Sequence, residues 1–483
     1  MLKRQKRTTM LFLKLKLCNT VPVLDLDLMP LFSSLLLSLS TLRLLAILAF
    51  ASLRVSQAFA GTKQTTRFRP HRMTSIHSFP EFLSAPPSLS TTTTHVIGNQ
   101  AGDADSVVSA LALAYIKYWN QQLTTTISTT TASTTTTTTI PHSHSHTQHI
   151  PIVSIPRADL LLRPDIILLL QLANIDIQKL IYLDDDYVSA IQPQPQPQLI
   201  LVDHNRLMHT EWIQKDPTII EIVDHHYDEG YHQEAIQRTI AFGDTAVAST
   251  CTLILEQCRG VPPADLAITL LGVILLDTVN ASPTAGKVTT RDQKAMEQLL
   301  RQTDWTQLTN TSFLRSGETF DTNKLYNYLS DAKFDPTFWK SLSVKDALRL
   351  DYKRFHSKTS IFGISSVLMP ITDFMEKDHL VDQLHQYIAF HQLPILLVMS
   401  VSMVESTPVR HILLCGNNKD LIKQLHSFLL ANTTLDAQTI DSSATKQDGT
   451  NTYTILLAQG NAKASRKQVA PIVMDFFHEK ESQ

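Results

Sequence analysis

The stretch "VIGNQAGDADSVVSALALAY", residues 96–115, decides the reading of the fold. An apolar, strand-like segment runs into Asn99, Asp103 and Asp105, and a helical pattern starts at once. Closely spaced carboxylates at a strand's end are poor core material, because burying unpaired charge is costly. They are good ligands for a hard cation, so the rest of the chain has to show whether a metal site is completed.

From residue 96 onward, short apolar runs alternate with longer helical stretches, the pattern of a parallel sheet with crossover helices. The candidate strands of this half are "HVIGN", "IPIVSI", "KLIYLD", "QLILVDH", "TIIEIVDHH" and "LLGVILLDT". Between them, residues 106–122 place Val107, Val108, Leu111, Ala114, Tyr115 and Tyr118 at helical spacing, so these aromatic rings and Trp119 read as packing residues. Two low-complexity insertions read as surface loops: the threonine tract 124–139 cannot pack a core, and "QPQPQPQ" (192–198) lacks ladder donors at its prolines. The polar stretch from Pro283 to Thr322 reads as an interdomain connection with some helix. A second α/β region follows, with candidate strands "IFGISSV", "PILLVMS", "HILLCG" and "TYTILLAQG".

The 483 residues have room for two or three domains, and 43% hydrophobic with 18% charged residues is a globular composition. A formal net charge of −2 steers the chain toward no polyanion, so an anionic substrate has to be held by local basic groups. Cys18, Cys251, Cys258 and Cys415 have neither metal spacing nor a disulfide framework, which fits a reducing compartment. Cys251 and Cys258 fall on one face of a helix and read as core. Glycine is scarce at 13 and no GxxxxGK[ST] occurs, against a glycine-rich phosphate loop.

The N-terminus opens on the basic "MLKRQKRTTM" and continues into an apolar run around Arg43. It can be read as a secretory signal or anchor, or as a presequence; Asp25 and Asp27 oppose the latter and Arg43 opposes a clean span. We favour Met73, at "MTSIHSFPEFL", as the start, with residues 1–72 an extension of the gene model. The expected compartment is then cytoplasmic, or mitochondrial or membrane-associated if residues 1–72 are retained.

Further along, "LILVDHN" ends on Asp203, "IEIVDHH" on Asp224, His225 and His226, and "VILLDT" on Asp277. In an open parallel sheet the carboxyl ends of strands share one crevice, so these side chains are expected to converge with Asp103 and Asp105. Four carboxylates and a histidine can hold two divalent ions about 3.5–4 Å apart, as phosphoryl-transfer sites do. One acid after a strand is usually a turn residue or cap, but that reading does not explain all of them together.

"DADS", "VDHN", "VDHH" and "LLDT", in this order, resemble the four motifs of the DHH phosphoesterase superfamily. "FPEFL", "IPIVSIPRADLLLRPDI", "LLDTVNASPTAGKVTTRD", "LRLDYKRF" and "SRKQVAP" together resemble its exopolyphosphatase and prune branch, over roughly residues 79–483. The resemblance implies an N-terminal parallel-sheet DHH domain and a smaller C-terminal mixed α/β domain of the DHHA2 type. The boundaries expected are an N-terminal extension 1–78, the DHH domain 79–285 with insertions at 124–149 and 192–198, a linker 286–322 and the DHHA2 domain 323–483.

By the family's pattern, Asp103 and Asp203 hold one metal, and Asp105, Asp203, His225 and Asp277 hold the other. Two cations, Mn²⁺ or Mg²⁺ with Co²⁺ as a further option, polarise phosphoryl oxygens and activate water. His226 is implied to donate to a phosphoryl oxygen. Asp224 orients a histidine or loop, or is a turn cap. Related pyrophosphatases carry His where this chain has Asn99, and the exopolyphosphatase branch carries Asn, which favours polyphosphate over pyrophosphate. Arg466 and Lys467 resemble a phosphate-gripping motif, and Lys353 another such position; an Arg fork matches phosphate oxygens. Arg410 and His411 read as surface residues.

The resemblance thus implies an exopolyphosphatase releasing orthophosphate from inorganic polyphosphate, with an inorganic pyrophosphatase or a prune-like phosphodiesterase or short-chain polyphosphatase as alternatives. A scaffold that has lost catalysis would lack a ligand, and all are present. No GGGH-type motif or basic aromatic strip points to nucleic acid, no membrane span is expected in the enzyme domains, and the oligomeric state is open. His142, His144, His146 and His149 adjoin the threonine tract and read as an incidental metal-binding insertion.

Overall fold

The computed structural model describes residues 77–87, 93–131, 147–357, 360–405, 407–441 and 452–481. The reading of residues 1–72, of His142, His144 and His146, and of the second half of the threonine tract (132–139) therefore falls outside the described residues.

The first lobe is built on a parallel sheet of β1 (Thr93–Ile97), β2 (Gln148–Ile152), β3 (Gln198–Val202), β4 (Thr218–Asp224) and β5 (Gln237–Ile240), in the order β2-β1-β3-β4-β5. The order reverses between β1 and β3, and it is at such a switch point that an open sheet leaves a crevice beyond its carboxyl ends. Helix α1 (Ala104–Thr131) follows β1 after a short turn that contains Gly102 at φ +53. Its backbone stays helical through the first threonines of the tract expected to be loop, since nothing in their sequence breaks a helix already nucleated by the buried Val107–Ile116 segment. Tyr115 is fully buried, with Tyr118 and Trp119 packed against the same core. His149 lies in β2.

Two of the expected strands are corrected. "LLGVILLDT" is the second half of helix α4 (Ala264–Thr278), which follows α2 (Pro164–Leu172) and α3 (Thr250–Glu256) in the chain. An apolar run buried on every side has no periodicity to distinguish strand from helix. Here Pro263 stands at the N-cap, Asp265 in the first turn, and the length is that of a helix. Gly272 lets α4 approach its neighbours, since a Cβ there would meet Leu169 Cδ1 at 2.6 Å. "KLIYLD" contributes only an isolated bridge between Val153 and Tyr182. β5, which carries Arg and Thr in place of an apolar run, was not visible in the sequence.

The stretch expected as a linker packs into the first lobe. Helix α5 (Thr290–Gln302) buries Ala295, Met296 and Leu299 in its core, and Leu308, Phe313 and helix α6 (Thr322–Lys333) add to it.

The second lobe is a mixed sheet, β10-β11-β9-β8-β7-β6, of β6 (Tyr352–His356), β7 (Ile361–Val367), β8 (Leu396–Val404), β9 (Thr407–Gly416), β10 (Ala437–Asp441) and β11 (Tyr453–Gln459). Only β7 and β8 run parallel. Helices α7 (Val344–Leu350) and α8 (Leu380–Phe390) pack on one face, and α9 (Lys419–Ala431) and α10 (Arg466–Glu481) on the other, giving two small cores. The molecule is thus α/β, with a parallel and a mixed sheet in separate lobes. Among the described residues no helix is long and apolar enough to cross a membrane.

One buried side chain ties the lobes. Arg163, 5% exposed, donates to Asp159 O at 2.7 Å, to Ala101 O at 2.6 Å and to Leu350 O at 2.9 Å. Arg349 of the second lobe pairs with Asp159 of the first.

Candidate active site

The carboxyl edge of the first sheet forms one wall of a cleft of about 330 Å³ that contains Asn99, Asp103, Asp105, Asp203, His225, His226 and Asp277. Lys353, Arg466 and Lys467 line the same cleft from the second lobe, so these ten candidate residues share one cleft. Asp277 arrives from the C-terminal end of a helix rather than from a strand.

Asp203 is the centre of the group. It follows β3 with φ +62, a left-handed conformation that an Asp tolerates better than most residues and that turns its side chain back across the sheet edge. Its carboxylate is only 2% exposed. Asn99 Nδ2 donates to Asp203 Oδ2 at 2.6 Å and Thr250 Oγ1 donates to Oδ1 at 3.1 Å. His225 Nε2 lies 3.3 Å and His226 Nδ1 3.6 Å from the same Oδ1.

Asp105, in the first turn of α1, accepts from Thr250 N at 2.8 Å, Cys251 N at 3.1 Å and Ser249 Oγ at 2.8 Å. The N-terminus of α3 is thereby aimed at a carboxylate, which its orphan N–H groups and dipole favour. Asp103 accepts from Ser106 N at 3.0 Å, capping α1 while it faces the cleft. Asp224 is fully buried and is bonded by Asn205 Nδ2 at 2.6 Å, His225 N at 2.8 Å and His226 Nδ1 at 2.8 Å. It therefore fixes the turn and the His226 ring together.

The electrostatics of this edge call for cations. Burial, and then the neighbouring Asp105 and Asp103 carboxylates, push the Asp203 carboxyl well above its ordinary value. Burial and Asp105 push Asp277 up to about 7. Asp277 Oδ2 is also buried without a hydrogen-bond partner, an arrangement that is costly unless something outside the protein satisfies it. Burial opposes ionisation of Asp224 too, but its contacts with His226, His225 and Asn205 outweigh it and hold that carboxyl below the usual range. Burial and then Lys467 lower His225, and burial lowers His226, so both rings are held neutral, the form in which imidazole binds metal. Ligand atoms of Asp203, His225 and His226 gather closely enough to hold one ion. The donor set of carboxylate oxygens and an imidazole suits magnesium- or manganese-type ions, and the residues present fit them.

Against this acidic wall the second lobe sets cations. Lys467, in the first turn of α10, donates from Nζ to His225 Nε2 at 3.0 Å. Arg466 is committed to Asp351, with NH1 on its carbonyl at 2.7 Å and NH2 on its carboxylate at 2.6 Å. Lys353, on β6, faces the cleft with no ion pair or side-chain hydrogen bond among the described residues. Arg410, expected at the surface, lines the cleft and donates to Ala462 O at 2.7 Å. Sequence reasoning missed Arg206 and Arg354 in the cleft wall, and Ser249 and Thr250 at Asp105. The serine and threonine belong to a helix that no acidic motif announces.

Residues 93–276 match the DHH family, N-terminal domain, and residues 328–476 match the DHHA2 domain. The chain belongs to the DHH phosphoesterase superfamily, in the branch that carries a DHHA2 domain, as the four motifs led us to expect. Among its relatives is "Exopolyphosphatase PRUNE1" of Homo sapiens, 27% identical over 392 residues that cover 79% of this chain and 74% of the relative. A Schizosaccharomyces pombe protein assigned as an exopolyphosphatase is 28% identical over 409 residues, covering 81% of this chain and 92% of its own. The crystal structure of a Methanococcus jannaschii protein assigned to the family II inorganic pyrophosphatases has the same fold. Its TM-score is 0.51 at 17% identity, covering 80% of this chain and 99% of that one. The chain is therefore an exopolyphosphatase- or prune-like member of the DHH phosphoesterase family.

Proposed function

We propose that the protein is a metal-dependent exopolyphosphatase that releases orthophosphate from the end of inorganic polyphosphate. The observation that carries this reading is the meeting of Lys467 and His225 at 3.0 Å, which joins an acidic wall and a basic wall in one cleft. A phosphate chain needs both: cations for its charge, and a carboxylate cluster to bring divalent ions to the bond that breaks.

Asp103, Asp105, Asp203, His225 and Asp277 would hold two divalent ions, with Asp203 shared between them. When bound, such ions supply Lewis acidity to phosphoryl oxygens and lower the pKa of water. The chain's own groups do the rest. Asn99 orients Asp203, and the N-terminus of α3 orients Asp105. His226, with Nδ1 directed to Asp224, keeps Nε2 for a phosphoryl oxygen and donates to it once the phosphate charge draws a proton onto the ring. Lys353 and Lys467 bind phosphate oxygens, and Asp351 holds the Arg466 fork in place beside them.

The test is phosphate release from long-chain polyphosphate and from pyrophosphate with Mg²⁺, in wild type and Asp203→Ala. Polyphosphate hydrolysis that is lost in the variant supports the reading. Preference for pyrophosphate would replace it with the pyrophosphatase alternative, and hydrolysis of neither would sink both.

A further inference from the structure

A second cavity, of about 450 Å³, meets the cleft at Asp277, Ser465 and Lys467. Its wall also carries Lys287 and Lys463, so three ammonium groups share it with the single carboxylate of Asp277. Lys287 belongs to "LLDTVNASPTAGKVTTRD", a motif for which the catalytic arrangement so far has used only the aspartate.

The Lys463 side chain reaches the turn that bears Lys287. Gly286 lies at φ +63, and a Cβ built on it would be 3.9 Å from Lys463 Nζ, so the turn bearing Lys287 runs directly beneath that ammonium. Among the described residues, neither Lys287 nor Lys463 has an ion pair or a hydrogen bond through its side chain. Burial first, then Arg410, Lys467 and Lys333, lower the Lys287 pKa, with Asp277 opposing them. These like charges repel, and among the described residues the cavity lining supplies no second carboxylate to offset them. An anion does so, and a phosphate oxygen is the acceptor that several ammonium groups can share as point charges.

We propose that the cavity bounded by Lys287, Lys463 and Lys467 is a phosphate-binding site adjoining the catalytic cleft. The inference deepens the polyphosphate reading and rests on it. The ligand is a phosphate group, from either of two sources: the orthophosphate just released, or a phosphate of the chain beyond the bond being cleaved. Lys467, common to both spaces, stands where either would pass.

The test compares wild type with the double variant Lys287→Ala, Lys463→Ala and with the charge-keeping double variant Lys287→Arg, Lys463→Arg, all metal-loaded. The readouts are KM for long-chain polyphosphate, KM for tripolyphosphate and the inhibition constant of orthophosphate. A chain site raises the long-chain KM relative to tripolyphosphate by roughly fivefold in the alanine variant, the scale of two partly exposed charge contacts. A product site instead raises the orthophosphate inhibition constant by a similar factor. Recovery in the arginine variant ties either effect to charge rather than packing. An unchanged KM ratio together with an unchanged inhibition constant overturns the proposal. Should wild type release phosphate from no polyphosphate, the functional reading fails separately, and orthophosphate binding by titration calorimetry decides the cavity. Weaker binding in the alanine variant supports it; equal binding, or none in wild type, overturns it.

Discussion

Asn99 and Asp203 face each other across the switch point of the parallel sheet, with Asn99 Nδ2 at 2.6 Å from Asp203 Oδ2. The orientation of the amide is settled by its surroundings: Nδ2 points at two oxygens of Asp203, while Oδ1 accepts from Ala101 N at 2.8 Å. Both ends of Asn99 are thus used within the protein, and we propose that it positions Asp203 rather than binding a metal or the substrate directly. Asn99→Leu removes the donor and keeps the bulk. Its expected effect is a fall of roughly 10- to 100-fold in Mn²⁺ affinity, the usual cost of losing a group that orients a ligand, read by calorimetry on folded protein. Unchanged metal affinity would refute the role.

Lys467 crosses between lobes, so its removal should be felt by substrate and not by the fold. Lys467→Met leaves the stem and deletes the ammonium. A loss of roughly 10- to 100-fold in kcat/KM for polyphosphate follows from one charge-assisted contact, with Tm nearly unchanged. Lys467→Arg should recover part of it. If kcat/KM moved by less than a factor of roughly two, Lys467 would not bind the substrate.

Arg163 sets the mutual position of the two walls. Its guanidinium satisfies Ala101 O, next to the Asp103 loop, and Leu350 O, next to the Asp351 that holds Arg466. Arg163→Met would leave buried carbonyls without donors, costing roughly 2–4 kcal/mol of stability. A folded fraction should also show reduced kcat, because Lys467 and His225 no longer meet in register. A denaturant titration beside steady-state kinetics separates the two; a stability loss with intact kcat would confine Arg163 to the fold.

The legibility of this site in the sequence follows local physics. Asp203 and Asp224 end strands whose apolar runs are short and bounded, so both the strand and the converging acid could be read off. Asp277 ends an apolar segment buried on all sides as a helix, and its pattern carries no period; the acid was recognised while its element was misread. The Ser249 and Thr250 donors, the Arg163 tie and the cavity of Lys287 depend on contacts between residues far apart in the chain. No local pattern announces such contacts. β5 and β6 carry polar and basic residues at sheet edges, where burial does not impose alternation.

Asp277 gives a pH signature that needs no substrate. Its folded pKa is raised to about 7 from 3.8, so in chelated protein the folded state holds a proton that the unfolded state has lost. Its contribution to stability is full below about pH 3.8 and is lost as pH rises toward 7. The depressed histidines, His225 and His226 among them, act in the opposite sense: they lose stability as pH falls below their ordinary value of 6.5. The difference between wild type and Asp277→Asn isolates the acid. In chelator, the Tm of wild type relative to the variant should fall by a few degrees as pH rises from 4 to 7. Mn²⁺ should reverse the order, stabilising wild type increasingly toward pH 7 and the variant little, since only the ionised carboxylate is a good ligand. Parallel melting curves for the two proteins with and without Mn²⁺ would remove Asp277 from the metal site.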